Sequence, residues 1–108
     1  MKLFNPKGSN LFIDTSNSEK IIVGVNGQKK VTDVKVGKAQ MLLSVISKLL
    51  KKKKLRITDI KAIEVNTGPG SFTGLRVGIS VANALGWSLN IPVNKKNVGK
   101  SPVEPVYQ

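Results

Sequence analysis

The sequence feature that most restricts the fold is an apolar segment, residues 71–89, that carries a small residue at every fourth position. Its apolar spacing predicts a helix, and the small residues form one stripe along it: Gly74, Gly78, Ala82 and Gly86. Glycine inside a helix costs about 1 kcal/mol relative to alanine, so the stripe indicates that another backbone approaches closely. The other faces of the helix are also apolar, which predicts that it is covered on two sides.

The first half of the chain predicts three strands and a helix. Strands are expected at 11–13, 20–25 and 31–36, because these runs are apolar or rich in β-branched residues. The pair Asn26-Gly27 favours a tight type I′ turn and therefore an antiparallel meander. The leucine, valine and isoleucine residues after Gly37 recur with helical spacing and predict an amphipathic helix over 38–53.

The second half adds a strand at 62–66, the helix at 71–89 and a fifth strand at 91–93. Thr58-Asp59 is typical of a turn or a helix N-cap. The order βββαβαβ predicts an α/β fold with a mixed sheet. Lysines and prolines after residue 94 predict a loosely structured basic tail, so the expected organisation is a lobe at 1–94 and a tail at 95–108.

The composition excludes several kinds of site. The chain has no cysteine and no histidine, so it cannot supply a thiol nucleophile, a sulfur-ligated zinc or an imidazole base. We therefore expect no catalytic residue and no metal site. No secretory signal is recognisable at the start of the sequence, and 77–91 is too short to cross a bilayer, so we expect no membrane association and a cytoplasmic protein.

The charge is strongly positive. Eighteen Lys and Arg residues face six Asp and Glu residues, for a net charge of +12. Part of this charge is the run Lys51, Lys52, Lys53 and Lys54 at the end of the first predicted helix. Two interpretations stay open: a solvated helix end whose cations offset the helix dipole, or a contact with a polyanion such as nucleic acid.

A glycine-rich loop joins the fourth strand to the second helix, a position where backbone N–H groups can bind an anion. It is neither a P-loop nor a dinucleotide fingerprint, since no Gly-Lys-Ser/Thr ends it and its spacing is G-x-G-x-x-x-G. A purely structural turn is the alternative. The candidate residues near an anion in this loop are Gly68, Gly70, Ser71 and Thr73. Ser71 has no base nearby to activate it.

At this loop the sequence resembles a known family. The stretch Gly68-Pro69-Gly70-Ser71-Phe72-Thr73-Gly74-Leu75-Arg76-Val77-Gly78 is similar to that of the TsaB (YeaZ) family, glycoprotease-like proteins that act in making threonylcarbamoyladenosine in tRNA. The flanking runs 59–63 and 89–93, the opening Phe12-Ile13-Asp14-Thr15-Ser16 and the pair Leu42-Leu43 also resemble that family.

The resemblance implies a lobe of the actin-like ATPase and sugar-kinase fold, which is related to ribonuclease H. It also implies a non-catalytic subunit that binds a TsaD-type catalytic subunit and works with a TsaE-type ATPase, so that ATP and metal belong to the partners. The family commonly has His-Ser where this chain has Lys38-Ala39. Family members also have a second lobe, which we expect to be absent here, and nucleotide in this superfamily sits between two lobes. The resemblance places Asp14 where nucleotide-binding relatives keep a phosphate-site acid, which makes it a further candidate near a nucleotide. Asp14 can also simply cap the turn after the first strand.

The family pairs through the two helices of this lobe, which predicts a partner surface here and, without the partner, a homodimer. The candidate interface residues lie on both predicted helices: Val45, Leu49, Val77, Gly78, Val81, Ala82 and Ala84. Periodicity does not decide which face of the second helix meets the sheet. Two other functions stay open: a stand-alone basic tRNA-binding domain and a degenerate phosphotransfer enzyme, the latter disfavoured because no magnesium site is recognisable.

Overall fold

The computed structural model describes residues 8–34 and 37–104. In chain order the elements are β1 (Ser9–Asp14), β2 (Lys20–Val25), β3 (Gln28–Asp33), α1 (Lys38–Lys52), β4 (Ile60–Val65) and α2 (Phe72–Leu89), with a short 3₁₀ turn (Ile57–Asp59) before β4. The sheet order is β3-β2-β1-β4; β2 is antiparallel to β1 and β3, and β4 is parallel to β1. The predicted mixed sheet and antiparallel meander are confirmed.

The β2–β3 hairpin is closed by the turn that the sequence predicts. Asn26 and Gly27 have φ angles of 51° and 86°, in the left-handed region that a type I′ turn requires. Because Val25 pairs with Gln28 directly across this turn, β3 begins three residues earlier than expected. The last two residues of the predicted third strand, 35 and 36, lie outside the described part of the chain.

Both helices contribute to one apolar core with the sheet. The core includes Leu11 and Ile13 of β1, Leu42 of α1, and Leu75 of α2, all fully buried. The helices run in the same direction. At their starts, a methyl group placed on Gly74 would lie 3.1 Å from the ammonium nitrogen of Lys38; near their ends, Leu50 and Leu85 line one groove.

The small-residue stripe of α2 faces the sheet and the C-terminal segment. A methyl group on Gly78 would collide with the hydroxyl of Thr15 and lie 3.3 Å from Ile13, and one on Gly86 would lie 2.5 Å from Val93. Ala82 is fully buried. The stripe therefore permits the close approach that the sequence predicts, and what approaches it is the sheet, the residue after β1 and the C-terminal segment of the same chain.

The predicted fifth strand does not form. Val93 makes only a single parallel bridge with Ile63, after which the chain turns at Asn94 and Lys95, with φ angles of 50° and 67°. The Asn94 side chain takes the place of a further strand residue: its carboxamide oxygen accepts from Val65 N (2.8 Å), and its nitrogen donates to Val65 O (3.0 Å). This side-chain pairing ends the ladder where a longer strand was expected.

The segment after Asn94 is more ordered than the predicted loose tail. Val98 and Val103 are buried in the core. The Asn83 side chain of α2 bonds the Val103 backbone in both directions, donating to its oxygen (2.8 Å) and accepting from its nitrogen (3.1 Å). Residues 105–108 of the predicted tail lie outside the described residues.

Candidate functional site

The candidate site lies where β1 and β4 end beside the start of α2. Parallel strands bring their carboxyl ends to one edge of the sheet, so the turn after β1 meets the loop after β4. The Asn66 carboxamide joins the two, donating to Ser16 Oγ (3.3 Å) and accepting from Gly68 N (2.9 Å). Ser71 N donates to Ser16 O (2.9 Å), which ties the loop to the turn a second time.

Asp14 caps the turn after β1. Its Oδ1 accepts from the backbone N of Ser16 (2.9 Å) and from the Ser16 hydroxyl (2.7 Å), which confirms the capping role that the sequence allowed. Burial raises the pKa of this carboxyl, but hydrogen bonds from Ser16 and Asn66 and the charge of Lys29 together outweigh it. The pKa of Asp14 therefore lies below its usual value, and the carboxylate is ionised at neutral pH.

Thr15 fixes α2 to the end of β1. Its fully buried hydroxyl donates to Gly74 O (2.5 Å) and accepts from Gly78 N (3.0 Å). An α-helix would bond these two backbone groups to each other. The Thr15 side chain thus bonds both ends of one helical pair. A methyl group on Gly78 would collide with the Thr15 hydroxyl, and one on Gly74 would collide with the Thr15 backbone oxygen. This contact explains why two of the stripe positions are glycine.

The glycine-rich loop uses several of its N–H groups within the chain. Those of Gly68, Ser71 and Gly74 donate to Asn66 Oδ1, Ser16 O and Ser71 Oγ. Gly70 approaches the turn so closely that a methyl group there would lie 2.6 Å from Ser16 Cβ. The hydroxyl of Ser71 is the N-cap of α2. These contacts support the structural interpretation of the loop, and an anion near Gly70 or Thr73 stays a prediction.

Lys38 lies at the start of α1, close to the start of α2. Its ammonium donates to Asn17 O (2.7 Å), and burial lowers its pKa from the usual value. This lysine stands where the resembled family commonly has histidine, and it joins α1 to the turn that Asp14 caps. Lys38, Thr15 and Asn66 were not among the candidate site residues predicted from the sequence. The available signals were that Thr15 belongs to the Phe12–Ser16 stretch that resembles the family and that Lys38 replaces the family's common histidine.

The structure changes the predicted partner surface. Val45, Leu49, Gly78 and Ala82 are buried inside the chain, so the prediction is wrong for these four residues. Their spacing marked an apolar face, but that face meets the sheet of the same chain. Val77 and Val81 are half-buried and Ala84 is exposed, so these three stay candidates.

The predicted lysine run lies on the surface. Lys51, Lys52 and Lys54 are exposed and Lys53 is half-buried. Over 8–34 and 37–104 the ion pairs are Lys20–Asp33 and Arg56–Asp59, so none of the four lysines is paired with a carboxylate there.

Within residues 8–34 and 37–104, no three acidic side chains come together as a possible metal site. Neither described helix has the length and apolar character needed to cross a membrane.

Comparison with solved structures identifies the class of fold. A structure titled "YeaZ from Pseudomonas aeruginosa" superposes with a TM-score of 0.69 at 29% identity, covering 80% of this chain and 42% of that one. A second structure, described as an uncharacterized protein from the same organism with similarity to the peptidase YeaZ, gives the same score and identity. The chain therefore has the fold of an actin-like, glycoprotease-like lobe, which confirms the predicted fold class.

Sequence comparisons identify the family. The family model described as TsaD, tRNA N6-adenosine threonylcarbamoyltransferase, matches residues 35–97. A relative from Bacillus subtilis (strain 168), named "tRNA threonylcarbamoyladenosine biosynthesis protein TsaB", is 50% identical over 36 residues, or 33% of this chain and 16% of the relative. The TsaB protein of Escherichia coli (strain K12) is 37% identical over 54 residues, or 50% of this chain and 23% of the relative. The chain belongs to the TsaD-like family, and within it to the TsaB (YeaZ) proteins.

These matches cover only part of each relative. The chain spans less than half of the solved structures and at most a quarter of the TsaB relatives cited above. A relative from Geotalea daltonii that is named as the threonylcarbamoyltransferase itself is 51% identical over 49 residues, which is 14% of its length.

Proposed function

We propose that the chain is an accessory, non-catalytic component of tRNA threonylcarbamoyladenosine biosynthesis and acts by binding a TsaD-type catalytic subunit. The names of the TsaB relatives support the pathway. The residues of the candidate site support an accessory role, because Asp14, Ser71 and Asn66 use their side chains to hold the turn, the helix and the loop together.

The observation that carries the proposal is an unpaired apolar surface between the helices. Leu43 of α1 is 52% exposed and Ile57 of the 3₁₀ turn is 37% exposed. With Leu85 of α2 they line a groove of about 320 Å³. Val81, which is half-buried, and Ala84, which is exposed, precede Leu85 on α2 by four residues and one residue. Exposed apolar surface of this kind marks protein–protein contacts, because single exposed residues are common but contiguous patches are not.

We expect the purified chain to form a defined complex with the TsaD-type subunit of the same source. Leu43→Glu and Ala84→Glu should each weaken this complex at least tenfold, because each variant buries an unpaired carboxylate in an apolar interface. Val31→Glu is the matched control: Val31 is 56% exposed on β3, away from the helices.

Calorimetric titration of the catalytic subunit with each variant makes the measurement. Binding of the unchanged chain and of Val31→Glu, with loss in the two helical variants, supports the proposal. No complex with the unchanged chain, or equal loss in all three variants, contradicts it.

A further inference from the structure

One end of the molecule combines unpaired cations with an exposed aromatic ring. Because α1 and α2 run in the same direction, both helices finish at this end. We call it the basic end; its residues are Lys51, Lys52, Lys53, Lys54, Trp87 and Lys100.

The lysine run extends beyond what the helix dipole explains. Lys51 and Lys52 belong to the last turn of α1, where cations offset the dipole. Lys53 is the C-cap, and Lys54 follows it with a φ of 61°. Lys54 N bonds to Lys51 O and Leu55 N to Leu50 O, the two bonds of a Schellman motif. Glycine is strongly preferred at the position of Lys54, so the chain places a cation where an uncharged residue would fold more readily.

No carboxylate in the described part of the chain neutralises the run. Asp59 is the acidic residue nearest to the run along the chain, and its carboxylate interacts with Arg56 instead. Its Oδ2 accepts a hydrogen bond from Arg56 N (2.8 Å), and its Oδ1 lies 3.8 Å from the Arg56 guanidinium. The lysines therefore present an uncompensated positive field, which attracts polyanions.

Trp87 provides the second component of the surface. Its side chain is 74% exposed, the largest exposure among the exposed large hydrophobic residues. It lies near the end of α2 beside the turn that contains Gly99; a methyl group on Gly99 would lie 4.0 Å from Trp87 Cδ1. Lys100 follows in the same turn, which is closed by bonds from Lys100 N and Ser101 N to Asn97 O. An exposed indole next to a cationic turn is a platform on which a nucleic-acid base can stack.

We propose that the basic end binds single-stranded nucleic acid, with phosphates at Lys51–Lys54 and an unpaired base on Trp87. An acidic polypeptide would also neutralise the lysines, but it has no base to stack on the indole ring of Trp87. Duplex nucleic acid hides its bases, so the ring favours a single strand. Lys51 also lines the apolar groove proposed above as the partner surface, so the two surfaces meet at this residue. The test below uses the chain alone and therefore does not depend on the proposed partner.

The test uses the fluorescence of Trp87, which is the chain's only tryptophan. The full chain is titrated with a twelve-nucleotide oligouridylate, the matching DNA strand, an RNA duplex and polyglutamate. We expect both single strands to quench the fluorescence and to bind more tightly than the duplex. Trp87→Ala, measured with labelled strands, should weaken binding about tenfold, whereas Trp87→Phe should retain most of it.

The lysine contribution is measured from the salt dependence. Replacing Lys51–Lys54 by Gln should reduce the slope of log affinity against log salt by about 3, since each phosphate contact on a single strand contributes about 0.7. Lys30→Gln, an exposed charge on β3, is the control and should leave the slope almost unchanged.

Lys54→Gly separates binding from folding. It should raise the urea midpoint of unfolding, because glycine suits the left-handed position, and yet weaken binding to the single strand. Tighter binding of the duplex, absence of quenching, or polyglutamate binding that is stronger than RNA binding would each overturn the proposal. An unchanged salt slope in the quadruple variant would overturn it as well.

Discussion

At the residue scale, Thr15 makes the most consequential contact of the candidate site. A single buried hydroxyl, directly after β1, bonds both a backbone oxygen and a backbone N–H of α2. It sets the distance between helix and sheet and so positions the loop that precedes the helix. A small polar residue directly after a strand usually indicates only a turn, which is why its role was not predictable from sequence pattern.

We expect Thr15→Val to destabilise the chain by about 1–3 kcal/mol. Valine has nearly the same shape but cannot bond Gly74 O or Gly78 N, so both buried hydrogen bonds of the Thr15 hydroxyl are lost. Thr15→Ser retains the hydroxyl and should cost less than half as much. Urea unfolding followed by circular dichroism measures both variants. Equal costs for valine and serine would show that shape, not hydrogen bonding, determines the effect.

Asp14 makes stability depend on pH in the acid range. Its folded-state pKa is below the ordinary value of 3.8, so the ionised form is favoured by folding. The resulting stabilisation is fully present above about pH 5 and is lost as the pH falls through the folded pKa. In Asp14→Asn, the decrease in stability between pH 5 and pH 2 should be smaller than in the unchanged chain. Unfolding midpoints measured across this range test it; a parallel decrease in both chains contradicts it.

At the scale of elements, the sequence predicted most of the fold but not its edges. The hairpin, α1 and α2 were predictable because the turn at Asn26-Gly27 and the helical spacing of apolar residues depend on local sequence alone. The fifth strand was not predictable, because a strand forms only where the backbone of its neighbour, here β4, is free to pair with it. At that edge the Asn94 side chain bonds Val65 where a further backbone residue would be required. The four wrong interface residues have a similar cause: periodicity identifies an apolar face but not what covers it.

Asn94 therefore should control how β4 ends. Asn94→Gly keeps the left-handed conformation (φ 50°) and removes the two side-chain bonds, so it should cost about 1–2 kcal/mol in stability. Lys95→Gly, at the adjacent left-handed position, removes no such bonds and should be neutral or stabilising. Urea unfolding of the two variants and of the unchanged chain measures these differences in stability. If both variants behave alike, the carboxamide does not hold the edge.

At the scale of the whole molecule, the helices and sheet leave two different open surfaces. The helical side carries the apolar groove with Leu43 and Ile57. On the sheet, Phe12, Ala62 and Glu64 line an open groove of about 790 Å³, where the Lys29 ammonium lies 4.3 Å from the centre of the Phe12 ring. The first surface is mainly apolar, with Lys51 at its edge, whereas the second carries several charged side chains. The helical side therefore has more of the apolar character that is typical of a protein-binding surface.

Without a partner, the helical side should pair with a second copy of the chain. Such a two-fold interface uses the same surface on both copies, so one substitution acts twice. Ala84→Glu should therefore separate the dimer, while Val31→Glu on β3 should not. Ala84 is a sharper test position than Val81, which packs partly against the core of its own chain.

The net charge of +12 opposes this pairing. Added salt should therefore strengthen the dimer, because salt screens the repulsion between the two copies and leaves the apolar contact in place. The same added salt should weaken binding to nucleic acid at the basic end. Sedimentation velocity at several protein and salt concentrations, with the two glutamate variants, makes the measurement. A chain that stays monomeric at high concentration and high salt, or a dimer that Ala84→Glu leaves intact, would contradict the helical interface.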